Sequence, residues 1–452
     1  MKKQTYKLLY TIILLVSALY SCSSSDEKDI SSSVTKESNF KHIIFYGQSL
    51  SLGWQSPQAI TKRALEGNYM LGTNPNVRYS RDITTLNPLV ATAWQSGGEQ
   101  PIVSAVNTFS HYYRNEVNEN QLFIASAGGE GGMSIEQLSK EFPDEDNLYQ
   151  STFVESLKQG KARADELDKE ISCPAIVYMQ GEFNYPPANK GLGMTEGTDA
   201  TTNKDEYKRL LLKLKNNMQS DIMEAYGQTE KPLFFIYQVA GIYVRNKEMS
   251  INMAQLEFAE ENEDVILLNP TYLTSDYGGG HLSTNGYRWY GEYIGKTLCS
   301  KLIFNKISSP IYPTKFDVQG NKVTVQFFVP TPPLIFDTWT SDYRKDNGFQ
   351  IIENDTDIAI TDTKIEGNKV VITCSQNLTG AIEVIYAGYK RYGAGNLRDS
   401  DPWKSYYSYY DDRSALVKER YTPLDKKGGV AIYGKIYPMQ NWCVPFYMKI
   451  NK

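Results

Sequence analysis

Ser49 is the first residue in the chain whose surroundings suit it for chemistry. It ends the stretch Lys41-His42-Ile43-Ile44-Phe45-Tyr46-Gly47-Gln48-Ser49, and Gly53 stands four residues beyond it. The apolar first part reads as a buried parallel strand, and Gly-Gln-Ser as a tight strand-to-helix turn. Such a turn lifts a serine hydroxyl out of the sheet and aims backbone N–H groups at whatever binds there. The hydroxyl becomes a nucleophile once a base removes its proton, and histidine is the usual base near neutral pH. The chain has only 3 histidines to weigh. His42 opens the strand, at the end opposite Ser49. His111 lies in Phe109-Ser110-His111-Tyr112-Tyr113, on a helix between strands. His281 follows Gly278-Gly279-Gly280 in a loop after the last strand and before the last helix. A loop at the sheet's carboxyl edge is where a base belongs, so elimination points to His281.

An imidazole in this role is oriented by a group on its far ring nitrogen. Asp276 lies five residues before His281, with Tyr277 and three glycines between. Glu182 is a rival, and a backbone carbonyl is a third possibility. Charge on a tetrahedral intermediate also needs preorganised donors. The Ser49 N–H is one. The glycine-rich loop Ala127-Gly128-Gly129-Glu130-Gly131-Gly132-Met133-Ser134-Ile135 suggests a second, because glycines let the backbone approach a ligand closely. Gln180, at a strand end in Tyr178-Met179-Gln180-Gly181-Glu182-Phe183-Asn184, can supply a side-chain amide as a third. Glu182 and Asn184, in the same stretch, are candidates for contacting substrate.

These residues need a scaffold that brings strand ends together. From residue 40 to about 303, short apolar strands alternate with amphipathic helices. The strands are expected at His42–Tyr46, Gln121–Ser126, Ala175–Met179, Leu233–Tyr237 and Val265–Leu268. Helical faces run through Phe153, Leu157, Gly160, Ala164, Leu167 and Ile171, and through Tyr207, Leu211, Leu214, Met218 and Ile222. A last helix spans Gly286 to about Leu302. The expectation is a parallel sheet covered on both faces, with ligands outside the carboxyl ends of its strands. The stretch from Tyr185 to Asn203 is aperiodic and long for an internal connection; emerging beside Gln180, it is a candidate wall of a pocket or a solvated insertion.

After residue 303 the pattern changes to proline-punctuated runs such as Lys322–Phe328, Lys369–Thr373 and Ala381–Tyr386, without helical periods. This is an all-β segment, most simply a sandwich, occupying 310–452. In it, Trp403, Tyr406, Tyr407, Tyr409 and Tyr410 are either a platform for stacking sugars or, more simply, packing between domains.

With 452 residues, 41% hydrophobic and 22% charged, the chain has the composition of a globular protein of two domains. A net charge of −5 gives no basic face for nucleic acid. Residues 1–22 read as a leader: Lys2 and Lys3, an apolar Leu8–Leu19, then Leu19-Tyr20-Ser21-Cys22, which looks like a lipoprotein cleavage box with Cys22 as the lipidated residue. A plain secretory signal is the alternative. A polar tether at 23–39 follows, implying anchorage at the cell envelope, in an outer membrane, through the lipid only. Cys173, Cys299, Cys374 and Cys443 lack metal-site spacing and read as packed thiols.

Taken together, Gly-Gln-Ser, Gly-Gly-Met-Ser-Ile, Gln-Gly-Glu and the late loop histidine resemble the conserved blocks of SGNH hydrolases. Within that superfamily they are most similar to sialate O-acetylesterase-like and family 6 carbohydrate esterases. The resemblance covers residues 40–303. It implies a three-layer α/β/α, flavodoxin-like fold, Ser49 as nucleophile, His281 as base, and Ser49, Gly132 and Gln180 as oxyanion donors. Gly395-Asn396-Leu397-Arg398-Asp399-Ser400 looks like the accessory β region of the same esterases, near the catalytic domain. Met133 stands where the family more often has threonine. Gly278 stands where its acid commonly lies, which leaves Asp276 open and allows a Ser–His dyad. The implied activity is removal of acyl groups, O-acetyl above all, from a carbohydrate, with no cofactor. A decayed glycan-binding lipoprotein and a sugar O-acyltransferase are the other readings.

Overall fold

A computed structural model describes residues 39–56, 58–76, 83–185, 200–274, 280–306, 309–338, 345–410 and 434–450. The leader with Cys22, the tether, Asp276 and most of the stretch after Tyr185 lie outside these residues.

The first region is built on β1 (Phe40–Gly47), β2 (Asn68–Leu71), β3 (Leu86–Pro88), β4 (Leu122–Gly129), β5 (Ile171–Met179), β6 (Leu233–Ile236) and β7 (Val265–Leu267), in the spatial order β3-β2-β4-β1-β5-β6-β7. All pairings are parallel except that of edge strand β3 with β2. Side chains alternate between the two faces along β1, and each face is covered by different helices. Ile43 and Phe45 pack with α1 (Ser49–Leu52), α2 (Pro101–Glu116) and α6 (Thr284–Leu302). Ile44 and Tyr46 pack with α3 (Glu155–Glu166), α4 (Lys204–Tyr226) and α5 (Ser250–Glu261). This is a three-layer α/β/α arrangement. Strands buried on both faces need continuous apolar runs, which is why β1, β4 and β5 stand out in the sequence.

Among the described residues, the named strands of the second region pair antiparallel. One four-stranded sheet joins β8 (Tyr312–Gln319), β9 (Lys322–Phe328), β13 (Ile360–Glu366) and β14 (Lys369–Cys374). The other joins β11 (Phe349–Glu353), β12 (Thr356–Ile358), β15 (Ile382–Tyr386) and β19 (Phe446–Ile450). Val323, Val325 and Phe327 of β9 face Ile351, Val384 and Phe446 across one core, as in a sandwich. Two-stranded pairs are formed by β10 (Ile335–Phe336) with β16 (Leu397–Arg398), and by β17 (Lys404–Ser408) with β18 (Ile436–Pro438). All four described cysteines are buried free thiols.

The two regions meet along α6. Trp289 and Tyr293 pack with Tyr409, Tyr437, Met439 and Trp442. Glu292, fully buried, accepts hydrogen bonds from the N–H groups of Tyr406 (2.9 Å) and Tyr407 (2.8 Å). Lys296 reaches Asp401 at 2.8 Å and donates to the Met439 carbonyl. The tyrosine-rich stretch 403–410 is thus used for packing between the regions. Tyr409 is 2% exposed, and Tyr406 lies against His111 on α2 with ring centroids 4.8 Å apart.

Candidate active site

Ser49 owes its position to the close approach of three strand ends. A Cβ on Gly47 (φ +155) would lie 2.1 Å from the Met179 carbonyl oxygen of β5, and one on Gly129 (φ +100) 2.0 Å from the Gly47 oxygen. Only glycine permits this spacing at both positions. Past Gly47 the Gln48 N–H donates to the Met179 carbonyl at 3.0 Å, and the chain turns at once into the four residues of α1. Leu50 and Leu52 anchor that turn in the core, and Gly53 closes it in the left-handed region. The Ser49 N–H opens the turn, where an N–H has no intrahelical acceptor.

His281 arrives from the other end of the sheet. It precedes Ser283, whose hydroxyl caps α6 by accepting from the Gly286 N–H at 3.0 Å. The position of a Cβ on Gly280 is 2.2 Å from the Tyr243 ring, so that ring backs the loop. His281 Nε2 lies 2.8 Å from Ser49 Oγ, across 232 positions of sequence. Burial lowers its pKa from 6.5 to about 4, because the charged form is poorly solvated there. The imidazole is therefore neutral near pH 7, with a lone pair free to take the serine proton. Its Nδ1 is buried without a hydrogen-bond partner among the described residues.

None of the alternatives for the orienting group is joined to Nδ1 among the described residues. Asp276 lies outside them. Glu182 is fully buried; one carboxylate oxygen accepts from Tyr237 Oη and the other has no partner. Burial raises its pKa to about 7.

The glycine-rich loop after β4 is braced from several directions. Gly129 N–H donates to Thr152 Oγ1 at 2.9 Å, on a π-helical turn (Tyr149–Val154) that leads into α3. Gln180 Nε2 donates to the Met133 carbonyl at 3.1 Å and to Asn184 Oδ1 at 2.7 Å. Its Oε1 accepts from Tyr207 Oη at 2.9 Å. The opposite orientation of this amide would set an oxygen against two acceptors, so the assignment is fixed by the network. Both amide hydrogens are therefore committed, and Gln180 acts here as a brace for the loop rather than as an open donor. The expectation that Asn184 and Glu182 contact substrate meets the same difficulty, since both are 0% exposed. Asn184 accepts from the Ile135 N–H at 3.0 Å and donates to Glu136 and to the Thr201 carbonyl, both at 3.1 Å. Gly132 sits in the braced loop with φ +76, and its N–H bonds to no described residue.

Trp54 was not legible as part of the site. Its N–H donates to the Ser49 carbonyl at 3.1 Å, and its ring is 2.9 Å from a Cβ position on Gly131, so it walls the space between the serine turn and the glycine loop. An aromatic residue just past a nucleophile turn was the available signal. His42, by contrast, is enclosed between Tyr226 Oη (2.6 Å) and Ser126 Oγ (2.7 Å), a structural role. Among the described residues no group of three His, Cys, Asp or Glu converges as metal ligands would.

No protein-family model matches the chain, and no curated protein matches it. Among solved structures, a carbohydrate acetylesterase from Xanthomonas citri matches with TM-score 0.55 and 13% identity, spanning 90% of this chain and 80% of that one. A protein from Arabidopsis thaliana matches with TM-score 0.38 and 12% identity, over 57% of this chain and 98% of that one. NanS matches with TM-score 0.41 and 12% identity, over 58% and 98%. At 13% identity the first likeness is one of architecture: the chain has an α/β fold with a parallel central sheet and antiparallel sheets in its C-terminal region.

Proposed function

We propose that this chain is a serine esterase that removes acyl groups, O-acetyl above all, from a carbohydrate. The observation that carries the reading is the 2.8 Å contact between Ser49 Oγ and a neutral His281 Nε2. Ser49 Oγ attacks the ester carbonyl carbon as Nε2 takes its proton. The N–H groups of Ser49 and Gly132 receive the oxyanion. Collapse breaks the bond to the sugar oxygen, which leaves with the proton returned by His281, and water releases the acyl group by the same steps. The architecture shared with a carbohydrate acetylesterase supports the choice of ester and of sugar. The block pattern favours the sialate O-acetylesterase-like branch, and the leader favours lipid anchorage at Cys22 in the cell envelope.

The test is acetate release from a panel of O-acetylated glycans. Ser49→Ala is expected to lower kcat by roughly a thousandfold or more with the melting temperature unchanged. Undiminished turnover in that variant would refute the reading. Transfer of the acyl group to a second sugar would appear in the same assay as an acetylated product in place of free acetate.

A further inference from the structure

A cleft of 830 Å³ lies where the turn after β6 meets the β region, lined by Gly241, Val244 and Arg245 on one side and by Lys345, Tyr389 and Tyr392 on the other. Its volume is in the range of ligand sites. It shares a wall with the catalytic loop: Gly241 and Val244 face the cleft, while Tyr243 between them backs Gly280, the residue before His281. The wall is clamped to the β region by the Gly241 N–H, which donates to the Gly393 carbonyl at 2.9 Å.

The charges in this cleft do not cancel. Arg391 is spent, with Nη2 on Asp346 at 2.8 Å and Nε on the Phe349 carbonyl at 3.1 Å, and Lys390 is paired with Asp357. Lys345 and Arg245 are left over. Arg245 makes no hydrogen bond to a described residue, and its Nε is buried without a partner among the described residues. The guanidinium is half-buried, with only Nε removed from water, and its uncommitted Nη donors are open to a bound anion. Beside it, two tyrosines are held out to solvent, Tyr389 at 58% exposed and Tyr392 at 77%. Tyr392 does so from a left-handed backbone (φ +54), a conformation that a bulky side chain adopts only under constraint.

A planar fork that donates to two carboxylate oxygens, beside exposed aromatic faces, is the chemistry that recognises a carboxylated ring. We propose that this cleft is a subsite for a uronic acid unit of a glycan chain, whose carboxylate pairs with Arg245 and whose ring lies against Tyr389 and Tyr392. As a statement about substrate it rests on the esterase reading; as a statement about binding it does not.

The test therefore measures binding in the full chain carrying Ser49→Ala, by calorimetry, with trigalacturonate and with its neutral methyl ester. Trigalacturonate is expected to bind at least tenfold more tightly than the ester. Adding Arg245→Ala is expected to remove that preference, and Tyr392→Ala to weaken both ligands several-fold. Melting temperatures confirm folding, and Arg245→Gln stands in if the alanine variant fails to fold. No binding, equal binding of acid and ester, or an intact preference in the Arg245 variant would each overturn the proposal. Acetate release by the parent chain is scored separately, so failure of the esterase reading is distinguishable from failure of this one.

Discussion

Burial keeps the His281 imidazole uncharged well below the pH at which an exposed histidine takes a proton. On the proposed mechanism the base needed by Ser49 is the neutral form, so protonation would switch the pair off. With a pKa lowered from 6.5 to about 4, kcat/KM is expected to stay level as pH falls through 6.5 and to decline only near 4. A pH profile of acetyl ester hydrolysis checks this, and an acid limb at 6.5 would contradict it. At this scale the sequence was informative where chain position alone decides a role. Ser49 and His281 could be chosen because one ends a strand and the other follows one. The duties of Gln180, Glu182 and Asn184 could not be read, because they depend on which neighbours each amide or carboxylate meets. A side chain committed to the Met133 carbonyl and one open to solvent have the same letter.

The glycine loop is only as well placed as the elements that hold it. Asn184, in a single 3-10 turn after β5, ties that turn to Ile135 and Glu136 and to Thr201, near the start of α4. Asn184→Ala would leave several buried partners unsatisfied. It is expected to cost about 2–4 kcal/mol in urea unfolding and to lower kcat roughly tenfold or more with a smaller change in KM. Equal kcat in a less stable variant would show that the loop keeps its shape without Asn184. The alternation of strands with helices was legible because β1, β4, β5, α4 and α6 carry unbroken apolar runs or clear helical faces. β2 and the edge strand β3, of 4 and 3 residues, are too short to show a period. The face expected to run from Phe153 to Ile171 is shared among the π-helical turn, α3 and the start of β5, because α3 ends at Glu166.

Across the whole molecule, α6 is the member both regions share. Its residues from Thr284 to Ser300 are all buried, one side against the sheet and α2, the other beneath the β region. Glu292 is the polar centre of that contact, and burial lifts its pKa to about 7. Glu292→Ala would orphan the N–H groups of Tyr406 and Tyr407. It is expected to lower unfolding free energy by about 2–4 kcal/mol, as urea denaturation would measure. A change within about 0.5 kcal/mol would mean that water replaces the carboxylate at little cost. The change of pattern near residue 303 was visible in the sequence. That the tyrosine-rich stretch packs between the regions was not decidable, since aromatic residues serve sugar faces and packed interfaces equally well.

The covering of α6 by Tyr437, Met439 and Trp442, which lie far downstream of it, also sets an order of events during biosynthesis. A nascent chain can lay down Ser49, the glycine loop and even His281 while the far side of α6 is still bare. The helix that begins just after the imidazole gains its outer cover only once residues 437–442 have emerged, so its far face is the later one to be closed.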